Sequence, residues 1–371
     1  MARDVLLDRR QFLGLVSGAG AAYAWAAPSD QGAFLYVACP GIRNYLEFGG
    51  AGILVFDIRA NHAFVRRIVT PASRQPRPEN VKGICANATT GRLYFTTLSR
   101  LYCLDLRTDE TLWEKALPDG CDRLAIHPSG KTLYVPTLEK DHWNIVDALT
   151  GDLTARVETK NGAHNTICGP DGKRVYMAGL KAPYLFVLDT ESLQVVHKVG
   201  PFSAPVRPFT INGRQTRCYV CVNELLGFEV GDLVTGRFLS RVEVKGFARG
   251  PVKRHGCPSH GIGMTPDERQ IWLCDAANQA LHVFEVAGDR FRQINHIRLR
   301  EQPGWVTFSL DGRYAYASTG EVIDVRTHKV LAGLTDEAAR QVHSEKMVEI
   351  RTKDGKPYQV GDQFGIGRLT D

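Results

Sequence analysis

Five ionisable side chains recur at one position of a repeating pattern. Lys82, Asp122, His164, Arg207 and His260 each stand twelve residues ahead of an aromatic, namely Tyr94, Tyr134, Tyr176, Tyr219 and Trp272. A sixth aromatic, Tyr316, has Gly304 in the matching place. About a quarter of an average sequence is charged, so this column is strongly biased. Arginine grips a carboxylate through two parallel hydrogen bonds. Histidine titrates near neutrality and can move a proton. Together these types suit capture of a small anion, with acid–base work beside it. Arg123, Asn165 and Trp305, one position further on, widen the set. A wet channel could also hold such residues with no ligand, so the elements that carry them decide.

The aromatics lie in short apolar runs behind polar turns, as in "HPSGKTLYVPT" and "GPDGKRVYMAG". Successive intervals are 40, 42, 43, 53 and 44 residues, and "GAFLYVACP" with Tyr36 is a seventh copy. Each unit continues with a second apolar strand that ends near an acid, then a third strand, as in "WNIVDALTGDLTARVE". Several short strands repeated every 40–45 residues predict an all-β, seven-bladed β-propeller spanning residues 33–371. One blade cannot bury both its faces; a ring can. In such a ring the innermost strands begin at one mouth of the central channel, so the column converges there. Loops bearing Arg43, Asn44, Tyr45, Glu139, Asn223, Glu224 and Asn278 should overhang the same mouth.

Blade one lacks a first strand, because Tyr36 comes so early. "QFGIGR" (363–368) matches "SHGIGM" (259–264), where a first strand is expected. The match predicts that a C-terminal strand closes the ring and completes blade one, with Phe364 in the column. Residues 335–346 are expected to form a short helix or excursion, and 347–371 the closing segment.

Residues 1–26 read as a leader. Arg9-Arg10, Phe12-Leu13 and a Gly/Ala-rich stretch ending near Ala24-Trp25-Ala26 follow a twin-arginine export signal, which predicts a periplasmic or extracellular protein. No later stretch is long and apolar enough to span a membrane, so no membrane span is expected in the mature chain. The formal charge is only +6, and the basic residues are scattered, which argues against nucleic acid as a partner. The nine cysteines fall mostly in apolar runs and are expected as buried thiols. Cys218 and Cys221 would face opposite sides of one strand. A monomer is expected.

The stretch "VRPFTINGRQTRCYVCVNELLGFEV", with the repeats over residues 33–334, resembles the YVTN-type seven-bladed propellers and their lactonase-like branch. That branch includes 6-phosphogluconolactonase-type and carboxymuconate-lactonising enzymes. The resemblance implies a catalytic constellation of His164, Arg207 and Glu224. One departure is Val206-Arg207-Pro208, where the branch often reads Pro-Arg-His.

Two functions follow as expectations. One is a propeller that binds a small anionic molecule, or a periplasmic protein, at its mouth without catalysis. Lys82, Asp122, Arg123, Asn165, Asn223, His260 and Trp305 would be ligand-binding. The other is a lactonase-like hydrolase or cycloisomerase acting on a carboxylated lactone, with His164 and Glu224 as the acid–base pair and Arg207 holding the anion. No cofactor is expected. A divalent ion between His164 and His260 is the one metal site the column suggests. The stretch His255–Met264 carries a Cys-x-x-His spacing followed by Met. Met264 aligns with packing positions, against a copper loop.

Overall fold

The computed structural model describes residues 31–251 and 255–369. The leader expected at 1–26 lies outside them. No helix is long and apolar enough to cross a membrane among the described residues.

Six four-stranded antiparallel sheets and one five-stranded sheet follow one another along the chain. Blade two is Gly83–Asn87, Arg92–Thr96, Arg100–Asp105 and Thr111–Ala116, from axis to rim. Blades three to seven begin on the axis with Ala125–Ile126, Ala163–Cys168, Val206–Ile211, Ile262–Met264 and Val306–Phe308. An apolar cluster fills each of the seven clefts between neighbouring blades. The cleft that shuts the ring packs Tyr316 and Val322 of blade seven on Leu35, Val37 and Met347 of blade one. The molecule is therefore a closed seven-bladed propeller.

Burial explains the sequence pattern. Second strands such as Arg92–Thr96 are covered on both faces and read as unbroken apolar runs. Rim strands such as Thr111–Ala116 face solvent on one side and alternate. In six blades the third strand ends on an aspartate whose Oδ1 accepts backbone N–H groups of the following turn: Asp57, Asp105, Asp147, Asp189, Asp232 and Asp324. Every third-to-fourth strand pairing then carries a register shift, a bulge that adds twist toward the rim. The repeated aromatic reaches the next blade, as where the Tyr94 hydroxyl donates to Ala148 O at 3.0 Å.

Ring closure is C-terminal, but a different segment performs it. Met347–Lys353 pairs antiparallel with Gln31–Cys39, and Lys356–Val360 adds a fifth strand on its axial side. Residues 363–368 form no strand. They cross the far end of the channel as a stopper. Gly365 O accepts Met264 N–H at 2.8 Å and the Thr210 hydroxyl at 2.7 Å; Gly367 N–H donates to Ile211 O at 3.0 Å. The Gln363 side chain bridges Ile84 N–H and Leu124 O. A Cβ on Gly365 would lie 2.9 Å from Gly263 Cα. The two "GIG" stretches touch where Gly365 meets Gly263, while Gly261 packs on Gly304 and Gly367 on Glu268, so their likeness does not mark equivalent strands. Phe364 accordingly sits in the apolar cluster against Trp305, not at the mouth. Residues 335–346 contain no helix; they are an irregular excursion pinned by a Thr335–Gln341 bridge.

Candidate functional site

Each mouth residue stands at the start of an axial strand. Lys82 precedes Gly83, Asp122 and Arg123 lead into Ala125, and His164 and Asn165 open blade four's first strand. Arg207 is second in its strand, His260 precedes Ile262, and Trp305 precedes Val306. The closing segment supplies blade one's contribution, Glu345 and Lys346, just before Met347. These elements surround a cavity of about 960 Å³. Lys82, Arg123, His164, Arg207, His255, His260, Glu345 and Lys346 line it, with Arg43, Asn44, Tyr45 and Glu139 from overhanging loops.

Two buried carboxylates organise the floor. Asp122 is fully buried; its Oδ2 lies 2.6 Å from His164 Nδ1, and its Oδ1 lies 3.3 Å from Lys82 Nζ. Burial alone would raise this carboxyl, but His164, Lys82 and Arg123 outweigh it and hold it at about 2. The carboxylate fixes the imidazole with Nδ1 inward. Glu345 is the second centre. Its Oε2 accepts from Arg123 Nη2 at 2.7 Å and from Lys346 Nζ at 2.9 Å, and its Oε1 lies 3.4 Å from His255 Nδ1. Burial works against its charge, yet Lys346, Arg123 and His255 keep it well below the usual carboxylate range. Burial pushes Lys346 down to about 7 against the pull of Glu345.

Arg123 links the two centres. It is 3% exposed, and its guanidinium carbon lies 3.5 Å from the Trp305 ring centroid. The Trp305 indole N–H donates in turn to Gln363 O, so the stopper braces the floor. Arg123 Nε and Nη1 are buried without a hydrogen-bond partner, as are both side-chain polar atoms of Asn165. Buried donors are usually satisfied by hydrogen bonds; here the Trp305 ring and the Glu345 carboxylate compensate the guanidinium instead. Arg207 is aimed by Asn223 Oδ1, 2.6 Å from its Nε, and by Gly256 O, 3.2 Å from its Nη2.

The structure thus brings Lys82, Asp122, Arg123, His164, Arg207 and His260 to one opening, with Trp305 beneath and Asn223 behind Arg207. Glu224 does not join them. It occupies a left-handed turn position (φ 65°), its side chain is 78% exposed, and its carboxylate pairs with Arg249. The His164–Glu224 pair is not formed; Asp122 is the carboxylate on His164. Asn278 also turns away, its amide held by Ala248 O and Asp275. The metal expectation shifts as well. The ligand atoms of His255, His260 and Glu345 lie within 4.8 Å of one another, whereas His164 Nδ1 is taken by Asp122. All nine cysteines are free thiols, and Cys218 and Cys221 face different clefts, as expected.

A second cavity of about 490 Å³ lies at the opposite end, between the stopper and the first strands of blades two to four. Ile84, Leu124, Ile126, Ile167 and Phe364 are among its walls, and its charged lining residues, Asp362 and Arg368, pair with each other at 3.2 Å.

Asp122 gives this mouth a calculable acid response. Its folded value, about 2, lies below the ordinary 3.8, so its stabilisation is present above pH ~5 and is lost as pH falls through 4 toward 2. The linkage is about 2 kcal/mol. Denaturant melts should show Asp122→Asn less stable than wild type near pH ~6, with the gap closing by about that amount near pH ~2. A gap independent of pH would show that the carboxylate is not held ionised.

No family model and no curated protein sequence matches the chain. Among solved structures it is similar to Kuenenia stuttgartiensis hydrazine synthase at 14% identity and a TM-score of 0.46, over 68% of this chain and 94% of that one. A likeness at that level carries no argument about activity; the seven sheets in their ring are what establish the fold.

Proposed function

We propose that this propeller, exported through its twin-arginine leader, binds a small carboxylate-bearing anion in the mouth of its channel. The observation that carries the reading is the convergence of Lys82, Arg123 and Arg207, from three different blades, on one cavity. Charge supports it. Among the described residues, six cationic side chains line the cavity (Arg43, Lys82, Arg123, Lys140, Arg207, Lys346) against three acidic ones (Asp119, Glu139, Glu345). Asp122 behind the wall leaves the described lining between +1 and +2, since Lys346 is held at about 7. The opening is recessed and polar, with Tyr45 its one Phe, Tyr or Trp wall residue among the described residues, which favours a small molecule over a protein partner. Calorimetric titration with citrate at low ionic strength is expected to show saturable binding that weakens as salt rises.

A second reading has one observation in its favour. The buried Asp122 holds His164 at 2.6 Å through Nδ1, and Nε2 has no partner among the described residues. That arrangement orients a general base. Lactonase-like ring opening would then use His164 with Asp122, not Glu224, and Arg207 would hold the substrate carboxylate. Hydrolysis of acidic lactones that survives His164→Ala unchanged would remove this reading.

A further inference from the structure

One side of the mouth carries a set of side chains that anion binding does not use. His260 comes from the lead-in to blade six, His255 from the loop before it, and Glu345 from the closing segment of blade one. All three are buried, and one ligand atom from each lies within 4.8 Å of the other two. Their chemistry is that of a metal centre with an open position, two imidazole nitrogens and one carboxylate oxygen.

Three details fit a cation rather than a chance cluster. First, His260 Nδ1 lies 3.2 Å from Gly304 O. An N–H donated there leaves Nε2 with its lone pair, the arrangement that orients metal-bound histidines. Second, the two cations on Glu345 both sit on Oε2, which leaves Oε1 on the histidine side. Third, Gly304 explains its place in the column. A Cβ there would stand 2.4 Å from His255 Nε2 and 2.7 Å from Glu345 Oε1. Glycine at this position keeps the approach between these two ligands clear.

We propose that His255, His260 and Glu345 form a three-ligand site for a first-row divalent transition ion, Zn²⁺ in particular, with its remaining coordination directed into the mouth. Binding requires the His255 and His260 rings, stacked at 4.7 Å with planes 20° apart, to turn so that their nitrogens converge, since zinc bonds are about 2.0–2.2 Å. Arg123 and Lys346 neutralise the second oxygen of Glu345, so the ion is held less tightly than in a closed structural site. The proposal does not depend on the anion reading, because its ligands and its probe differ.

The test is titration of the chelator-dialysed full chain with Zn²⁺, paired with the visible spectrum of Co²⁺. The expected result is one Zn²⁺ per chain, a Co²⁺ spectrum of low-coordinate nitrogen ligation, and no comparable uptake of Mg²⁺. Stoichiometric binding should vanish in His260→Ala and in Glu345→Gln. Gly304→Ala keeps all three ligands but crowds them, and should weaken binding about tenfold to a hundredfold. Glu224→Gln, whose exposed carboxylate pairs with Arg249 away from the mouth, should bind as wild type does. Wild type that takes up no Zn²⁺ would overturn the proposal. So would stoichiometric binding that persists in His260→Ala, or binding lost in Glu224→Gln. Should Glu345→Gln fail to fold, the wild-type Co²⁺ spectrum decides: purely oxygen-ligated cobalt contradicts the site.

Discussion

Arg123→Ala should lose about 3–5 kcal/mol of folding stability, the usual cost of removing one partner from a buried ion pair. The side chain is 3% exposed, donates to Glu345 at 2.7 Å and stacks on Trp305. Removing it leaves Glu345 with Lys346 as its remaining strong cation and opens a void over the indole. Urea unfolding of wild type and variant measures the difference directly. Arg123→Lys should recover part of it, because a single ammonium supplies charge without the planar fork. A loss below about 1 kcal/mol, the range of exposed pairs, would show that the floor is not organised as described.

Deleting residues 347–371 should be more damaging still. The segment contributes the strand that pairs with Gln31–Cys39 and buries Met347, Val348, Ile350 and Phe364 almost completely. At roughly 1.5–3 kcal/mol per fully buried apolar side chain, these four account for about 6–12 kcal/mol. That is comparable with the whole stability of an ordinary domain. The deletion also bares the axial edge of blade one, an open template for association. The expected outcome is loss of the cooperative thermal transition by circular dichroism. A truncated chain that melts near the wild-type temperature would show that the ring does not rely on this closure.

The sequence made the ring legible because a propeller repeats. Tyr94, Tyr134 and Tyr176 mark the same strand in successive blades, and the aspartates ending the third strands mark the same turn. Spacing alone then placed Lys82, Asp122, His164, Arg207 and His260 at the channel mouth. What escaped it has no repeat to follow. Glu345 and Lys346 lie on the closing segment, which replaces blade one's missing first strand and shares no register with the other copies. His255 is on a loop, where side-chain direction has no period. Glu224 was misplaced for the same reason: one residue past Asn223 the chain turns left-handed, and the carboxylate swings out to Arg249. The "GIG" likeness misled in another way: the same three residues run into a first strand at one place and lie on a strandless stopper at the other.

The most direct measurement of the central claim is the citrate titration repeated on Arg207→Ala and Lys82→Ala, two mouth residues from blades five and two. If the blades deliver their side chains to one anion, each variant should lose about tenfold in affinity, the value of one charge-assisted contact, while wild-type citrate binding remains saturable. Citrate that binds both variants as it binds the wild type, or that fails to bind the wild type, would contradict a shared anion site at this mouth.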